Sequence, residues 1–253
     1  MNIKTEWDYS ELADAYLYRP PYSMDALNEL YRLAGLRPGA LVCDIGAGAA
    51  HLTIPLLEAG FKVTAIEPND AMRATGLKQT AKYPEVNWVE ADGVETGQPT
   101  GYFEFVTFGS SFNVMDRTKA LQETHRILKT DGSFACLWNH RDLDDPIQKR
   151  IENLITAAIP AYDYGVRRED QSAVIASSRL FCDIQTVTGH LVYTQKIERT
   201  IEAWRSHATL SRQAGEKFKP IVDEISAYLK SLGRETIDIP YTTRAWWARK
   251  TDD

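Results

Sequence analysis

The chain has 253 residues, of which 43% are hydrophobic and 25% charged, and its formal net charge is −6 at pH 7. A chain of this size can bury a full core, so we expect a single domain spanning residues 1–253. The acidic balance argues against a nucleic-acid partner, because phosphate binding requires clustered Lys and Arg. No run of about eighteen apolar residues and no signal-peptide pattern occurs, which predicts a cytoplasmic protein with no membrane association.

The first segment, residues 1–22, is predicted to be an arm rather than a core element. It mixes aromatic and charged residues, and near its end Pro20 and Pro21 keep the backbone extended. Ser23 has a suitable side chain to cap the helix that follows, and Gly35 ends that helix.

The stretch from Leu41 to Leu57, LVCDIGAGAAHLTIPLL, is the one around which the chain is organised. A short buried strand runs into small residues from Gly46 to Ala50, whose bare backbone permits close approach of a ligand. Pro55 makes the following helix short or bent, and the N–H groups of its first turn would point to the same place. The alternative is a tight turn that merely uses small residues.

Strands and helices then alternate as far as Trp138. The run Pro68-Asn-Asp70 is predicted to break the chain and cap a helix at residues 70–82, and Asp116 is predicted to cap one at residues 117–131. Strict alternation of this kind calls for a parallel sheet that is covered on both faces. The strands are expected at residues 41–45, 62–67, 86–91, 103–108 and 133–138.

The pattern changes after Trp138. A helix is expected to start at Asp145 and Pro146 and to end before Pro160, with an aromatic, charged loop after it. Residues 184–197 read as a sixth strand with an irregularity at Gly189. Alternating apolar residues predict a seventh strand close to the sixth. Helical segments intervene at residues 201–232, and the seventh strand covers residues 237–247.

The three cysteines are predicted to be inert thiols. Cys43 and Cys136 lie in apolar strand-like runs, Cys182 follows Phe181, and no C-x-x-C spacing occurs. We therefore expect neither a disulfide nor a metal site.

Three acids follow successive predicted strands, namely Asp44, Glu67 and Asp92. Open α/β sheets bind ligands at the carboxyl ends of their strands, so the three should form a row along one rim. A carboxylate at the second strand end is suited to accept both hydroxyls of a ribose. The alternative for each acid taken alone is a turn former or a helix cap.

A nicotinamide dinucleotide would use the same strand, glycines and downstream acid. The G-x-G-x-x-G fingerprint fails, however, because His51 stands where its third glycine is needed. Asp44 would also face a doubly charged pyrophosphate, whereas it favours a cationic ligand. S-adenosylmethionine is such a cation.

The combination of Asp44-Ile-Gly-Ala-Gly48, Glu67-Pro68 and Ala91-Asp92 resembles the class I S-adenosylmethionine-dependent methyltransferases. Further likeness at Tyr16 to Tyr22 and at Trp138 to Asp142 points to the small-molecule branch that includes trans-aconitate methyltransferase-like proteins. The resemblance implies an α/β, doubly wound, Rossmann-like sheet of seven mostly parallel strands, with the last strand antiparallel. It also implies S-adenosyl-L-methionine as the cofactor.

The resemblance further assigns roles to the cofactor-side residues. It places the loop from Gly46 to Gly48 under the methionine part, Glu67 on the ribose hydroxyls, Met72 against adenine and Asp92 on its amine. Ser110 would lie beside the sulfonium. The full expected cofactor set is Arg19, Asp44, Gly46, Ala47, Gly48, Glu67, Pro68, Met72, Asp92, Gly93 and Ser110.

Methyl transfer from a sulfonium is an in-line displacement in which the enzyme supplies alignment and excludes water. His140 is the best-placed candidate for a general base, and a loop-bracing residue is the alternative. The arm at residues 1–22 and the loops at Phe112 and at residues 139–142 should converge over the strand ends, with residues 143–180 and 201–233 as a lid. The expected substrate residues are Tyr16, Tyr22, Phe112, Asn113, Asn139, Arg141 and His207.

These features together predict a methyltransferase that acts on an O or N atom of a small molecule, as a monomer or homodimer and without a metal. Two alternatives remain open. A nucleotide-cofactor oxidoreductase of the NAD type would respond to nicotinamide cofactors, and a non-catalytic protein would bind S-adenosylmethionine without turnover.

Overall fold

A computed structural model describes residues 17–205 and 207–252. Within them, seven strands form one sheet in the order β3-β2-β1-β4-β5-β7-β6. The first five strands are parallel, whereas β7 lies between β5 and β6 and is antiparallel to both. The predicted fold class and the antiparallel last strand are therefore confirmed. The strands are β1 (Leu41–Ile45), β2 (Lys62–Ile66), β3 (Val86–Val89), β4 (Phe103–Gly109), β5 (Leu128–Arg141), β6 (Phe181–Lys196) and β7 (Thr236–Lys250).

The helices of the described residues begin largely where the sequence predicts caps. Asn69, Asp116 and Asp145 each accept backbone N–H groups of the helix that follows. Ser23 makes no such bond, and its hydroxyl instead donates to the His190 carbonyl oxygen, so that prediction was wrong. The helices are α1 (Met24–Leu33), α2 (Thr53–Glu58), α3 (Asp70–Thr80), α4 (Arg117–Ile127), α5 (Pro146–Ala158), α6 (Ser172–Ser178), α7 (Ile197–Arg205), α8 (Ala208–Ala214) and α9 (Phe218–Ser231).

The sheet carries a hydrophobic core on each face. Side chains alternate along a strand, so Val42 packs into the core beneath α1 and α2, whereas its neighbour Cys43 packs into the core beneath α4. A third core lies apart from these two and joins α5, α7, α8 and α9 to one end of β7. Most of the predicted lid therefore has a core of its own. Helix α6 differs, because Ile175 packs into the sheet core beneath α4.

Two features of β6 differ from the prediction. The strand begins at Phe181, and its register shifts between Cys182 and Gln185 rather than at Gly189. Gly189 is needed because α1 crosses the strand there, and a Cβ on it would lie 2.7 Å from the Ala26 backbone nitrogen. Close approach of a helix, not a bulge, explains this glycine.

We therefore expect Gly189→Ala to lower the free energy of unfolding by about 1–3 kcal/mol, because the helix must move away from the strand. Urea denaturation measures the change. The control is Thr188→Ala, at the exposed neighbouring position on β6, which should change stability by less than about 0.5 kcal/mol. Equal losses in the two variants would contradict the packing explanation.

Candidate active site

A cavity of about 600 Å³ opens at the carboxyl ends of the parallel strands, as expected for an open α/β sheet. It brings together most of the residues selected from the sequence. Those that line it are Arg19, Tyr22, Asp44, Gly46, Ala47, Gly48, Glu67, Pro68, Met72, Asp92, Gly93, Ser110, Asn113, Asn139, His140, Arg141 and His207.

Two of the selected residues are not part of this set. Phe112 is fully buried in the sheet core against Phe108, with ring centroids 5.2 Å apart, and does not line the cavity. Its prediction as a substrate residue was wrong, because the short 3-10 turn at Phe112–Val114 directs this side chain into the core and leaves Asn113 on the cavity wall. Tyr16 lies outside the described residues.

The glycine loop forms the floor of the cavity beside β1. Gly46 and Gly48 have φ values of 70° and 55°, a region that glycine occupies without strain. A Cβ on Gly46 would lie 2.9 Å from the Ser111 hydroxyl oxygen, and that hydroxyl donates to the Ile45 carbonyl. Backbone and neighbour packing both exclude a side chain here, which keeps the loop open to a ligand.

Asp44 is completely buried near the end of β1. Its two carboxylate oxygens accept hydrogen bonds from the hydroxyls of Thr53, at 2.7 Å, and Thr107, at 2.9 Å. The pKa of Asp44 is raised to about 6, because burial and, to a smaller extent, the charge of Glu67 outweigh the two hydroxyl bonds, which lower it. A buried carboxylate without a cationic partner costs folding free energy, and a cationic ligand offsets part of that cost.

Glu67 follows β2 and is nearly buried. One of its oxygens accepts the Gly48 N–H and the other accepts the Asn69 N–H, both at 2.9 Å. Burial raises the pKa of Glu67, while these two backbone bonds and Arg73 oppose the shift. Each carboxylate oxygen can accept a second hydrogen bond, so the group suits a pair of neighbouring hydroxyls.

Asp92 and Gly93 form the next part of the wall. One Asp92 oxygen accepts the Val94 N–H at 3.1 Å. Gly93 packs against Ile45 and Met115 so tightly that a Cβ would lie within 3.0 Å of both side chains. Met72, on the first turn of α3, is buried beside Gly48 and also lines the cavity.

Ser110 lies just beyond β4 in a left-handed conformation, with a φ of 60°. Its hydroxyl is 3.1 Å from the Tyr22 hydroxyl, which ties the described part of the arm to the strand end. Asn139 makes a second tie, because its side-chain amide donates to the carbonyl oxygens of Pro20 and Pro21 while its own oxygen accepts from Thr243. Asn139 therefore braces the arm as well as lining the cavity.

His140, on β5, lines the cavity. Its Nε2 is buried and has no hydrogen-bond partner among the described residues. Burial, together with the charges of Arg168, Arg167 and Arg244, lowers the pKa of His140 to about 4. The imidazole is therefore neutral at pH 7, when it can accept a hydrogen bond but is a weak base.

Arg141 and His207 share the indole of Trp204. The Arg141 guanidinium lies 4.3 Å from the centre of the Trp204 ring, and its Nε donates to the Tyr241 hydroxyl at 3.2 Å. The His207 ring stacks on Trp204 at 5.0 Å, and its Nδ1 accepts the Leu210 N–H at the start of α8. Burial and the nearby arginines lower the pKa of His207, so it also remains neutral.

His51, which the sequence places at the end of the glycine loop or on the helix surface, lines the cavity, and burial lowers its pKa to about 4. The sequence alone did not single out three other lining residues, which come from the loop before α6. This loop carries aromatic and basic residues but no periodic pattern that shows which of them face inward. These three are Tyr164, Arg167 and Arg168.

Comparison with known proteins agrees with this geometry. Residues 43–136 match the family described as a methyltransferase domain, Methyltransf_11. The chain contains an S-adenosylmethionine-dependent methyltransferase domain. The family and the cofactor predicted from the sequence are thereby confirmed.

Two curated relatives illustrate how far this likeness extends. Over 161 residues the chain is 30% identical to the demethylmenaquinone methyltransferase of Staphylococcus epidermidis, covering 61% of this chain and 66% of that protein. Over 124 residues it is 32% identical to the ubiquinone/menaquinone biosynthesis C-methyltransferase UbiE of Vibrio vulnificus, covering 46% of this chain and 47% of that protein. The chain thus spans between about half and two thirds of the length of these relatives.

Solved structures share the methyltransferase fold at low identity. A protein of Anaeromyxobacter dehalogenans, assigned as a type II methyltransferase, has a TM-score of 0.65 and 16% identity, with 92% of this chain and 97% of that chain covered. Phosphoethanolamine N-methyltransferase 2 of Haemonchus contortus has a TM-score of 0.57 and 17% identity, with 96% and 58% covered. In the described part of the chain, no helix has the length and apolar character needed to cross a bilayer.

Proposed function

We propose that this protein methylates an O or N atom of a small molecule, using S-adenosylmethionine. The observation that carries the proposal is the single cavity in which the glycine loop and three acids meet a second wall of aromatic and basic side chains. The first wall fits the cofactor, because the glycines exclude side chains and Glu67 retains acceptor capacity for two hydroxyls. The second wall leaves room for an acceptor of limited size.

When bound, S-adenosylmethionine supplies a methyl group on a positively charged sulfur. The chain's own part is to hold the acceptor in line with that group and to exclude water. The described part of the arm closes one side of the cavity, where hydrogen bonds of Tyr22 and Asn139 hold it in place. Arg141, packed on Trp204, closes another side. Ser110 can orient a polar group at the junction of the two walls.

We assign to His140 the role of accepting the proton of the methyl acceptor. Its buried Nε2 can accept a hydrogen bond from an O–H or N–H group while the acceptor atom attacks. Because the pKa of His140 is about 4, it is a weaker base than an ordinary histidine, and alignment contributes more of the rate. An acceptor with an acidic proton suits such a base best.

We expect His140→Ala to lower kcat by at least about tenfold and to leave the affinity for S-adenosylhomocysteine unchanged. In the wild-type protein, protonation of His140 should cause no loss of rate as the pH falls from 8 to 6, because its pKa of about 4 lies below that range. The control is His190→Ala on β6, whose ring is paired with Thr242 outside the cavity. A loss under about twofold in His140→Ala would assign His140 to the cavity lining alone.

Methylation of carbon is a second candidate, because curated relatives at 30–32% identity are named as quinone-biosynthesis methyltransferases, one of them a C-methyltransferase. Incubation with methyl-carbon-13 S-adenosylmethionine and a panel of phenols, amines, carboxylic acids and quinols tests both candidates. The chemical shift of the labelled product distinguishes O-, N- and C-methyl groups. A labelled C-methyl product alone would overturn the heteroatom proposal.

The same preparation tests the two rival functions. Calorimetric titration with S-adenosylhomocysteine and with NAD should show binding of the first only. Binding of NAD alone would favour an oxidoreductase. Binding of S-adenosylhomocysteine with no labelled product across the whole panel would favour a non-catalytic binding protein.

A further inference from the structure

Arginines gather on the acceptor side of the cavity although the chain carries a net charge of −6. Arg141 ends β5, and Arg167 and Arg168 lie on the 3-10 turn Gly165–Arg168. The three are close enough to influence the same groups, since the charges of all three act on the Tyr162 hydroxyl. Arg168 also reaches the Arg141 carbonyl oxygen, at 3.5 Å.

No acid neutralises these three side chains within residues 17–205 and 207–252, where none of them forms an ion pair with Asp or Glu. Their contacts are with aromatic rings instead. Arg168 lies 4.1 Å from the centre of the Tyr164 ring, and Arg167 lies 5.4 Å from it. Glu152, the acid beside this turn, accepts a hydrogen bond from the Tyr164 hydroxyl.

One donor of the cluster is unused. The Nε–H of Arg168 is buried and has no acceptor among the described residues. Leaving a buried charged donor unpaired is costly in a folded protein. Arginine presents its donors in a planar fork that matches the oxygens of a carboxylate or phosphate, so an oxyanion is the ligand that would satisfy it.

The turn that carries two of these arginines is held firmly. Gln171 is buried, and its amide donates to the carbonyl oxygens of Val166, at 2.7 Å, and Glu169, at 3.0 Å. Its oxygen accepts from Arg117 at 3.1 Å. A turn braced on both sides loses little conformational freedom when a ligand binds, which favours a built binding site over a chance cluster of charges.

We propose that Arg141, Arg167 and Arg168 form an anion subsite that binds a carboxylate or phosphate group of the methyl acceptor. The inference rests on the proposed function and narrows it, since the acceptor is then an anionic small molecule rather than a neutral quinone. His140 lines the same cavity, and the charges of Arg167 and Arg168 act on its ring. An anion held here therefore places the rest of the acceptor next to the ring nitrogen of His140.

The test is calorimetric titration of the full chain saturated with S-adenosylhomocysteine. The probes are benzoate, phenyl phosphate and the neutral benzamide. We expect one of the two anions to bind at least about tenfold more tightly than benzamide, and the one that does identifies carboxylate or phosphate as the natural group. Arg167→Gln and Arg168→Gln should each weaken the binding of that anion by about tenfold to a hundredfold.

Arg150→Gln is the matched control, because Arg150 is exposed on α5 and does not line the cavity. It should leave anion binding unchanged, and Arg168→Lys should restore only part of the affinity, since lysine keeps the charge but lacks the fork. Equal binding of the anions and benzamide, or an equal loss in Arg150→Gln, would overturn the subsite. A parallel loss of S-adenosylhomocysteine affinity in Arg167→Gln would also overturn it, by assigning the arginine to the cofactor carboxylate.

Failure of the proposed function gives a different result. In that case the wild-type chain either does not bind S-adenosylhomocysteine or gives no O- or N-methyl product from the acceptor panel. Failure of the subsite alone leaves that binding intact and removes only the preference for anions.

Discussion

Glu67→Ala is expected to weaken the binding of S-adenosylhomocysteine by about 1.5–3 kcal/mol, which is about tenfold to a hundredfold in Kd. In the proposed cofactor site, the substitution removes the carboxylate that would accept a pair of ribose hydroxyls. It also removes the acceptor that fixes Gly48 and Asn69, whose N–H groups both donate to this carboxylate. The loss therefore combines a direct contact with the shape of the glycine loop. Calorimetric titration measures it.

Glu85→Ala is a suitable control, because Glu85 is exposed just before β3 and lies outside the cavity. Glu85→Ala should bind S-adenosylhomocysteine with the affinity of the wild type. The Glu67 variant must also be shown to be folded, since two backbone donors lose their acceptor and unfolding could become easier by about 1–2 kcal/mol. Wild-type affinity in a folded Glu67→Ala protein would remove this residue from the site.

The row of acids could be predicted from the sequence because its physical basis is local. Each acid follows an apolar run, and the carboxyl ends of neighbouring parallel strands meet at one edge of the sheet. Asp44, Glu67 and Asp92 accordingly line one cavity. The hydrogen bond from Thr107 to Asp44 could not be predicted, since it depends on the pairing of β1 with β4, which are 63 residues apart in the chain.

Residues in irregular segments were harder to place. Phe112 and Asn113 are adjacent in the sequence, yet one is in the core and the other on the cavity wall. The direction of a side chain in a single 3-10 turn is decided by the surrounding packing, which carries no periodic signal. The same holds for Arg167 and Arg168, whose turn is held by Gln171 through bonds that do not follow from spacing.

Asp44→Asn should have opposite effects on stability and on cofactor affinity. The pKa of Asp44 is about 6 in the folded protein and about 4 when the chain is unfolded, so the folded state holds the proton more tightly. Its contribution to stability is therefore largest below pH 4 and is lost as the pH rises through 6. A difference of about two pKa units corresponds to about 3 kcal/mol.

Asparagine removes the charge and keeps a polar group for the hydroxyls of Thr53 and Thr107. We expect the free energy of unfolding of the ligand-free variant to exceed that of the wild type by about 1–2 kcal/mol at pH 7.5 and to equal it at pH 4. Urea denaturation at both pH values provides the measurement. Asp145→Asn, which preserves the cap of α5, is the control and should give no such gain.

The Asp44→Asn substitution should weaken the binding of S-adenosylmethionine. The affinity of S-adenosylmethionine should fall by about tenfold or more at pH 7.5, because a buried carboxylate favours a cationic ligand that an amide does not. In the wild-type protein the affinity should fall as the pH drops below 6, because protonated Asp44 carries no charge to favour a cationic ligand. The decline should be shallower in the variant, which lacks the titration of Asp44 and keeps that of Glu67, whose pKa burial raises. A variant that is less stable at pH 7.5 and binds the cofactor normally would show that the buried charge of Asp44 serves the fold and not the ligand.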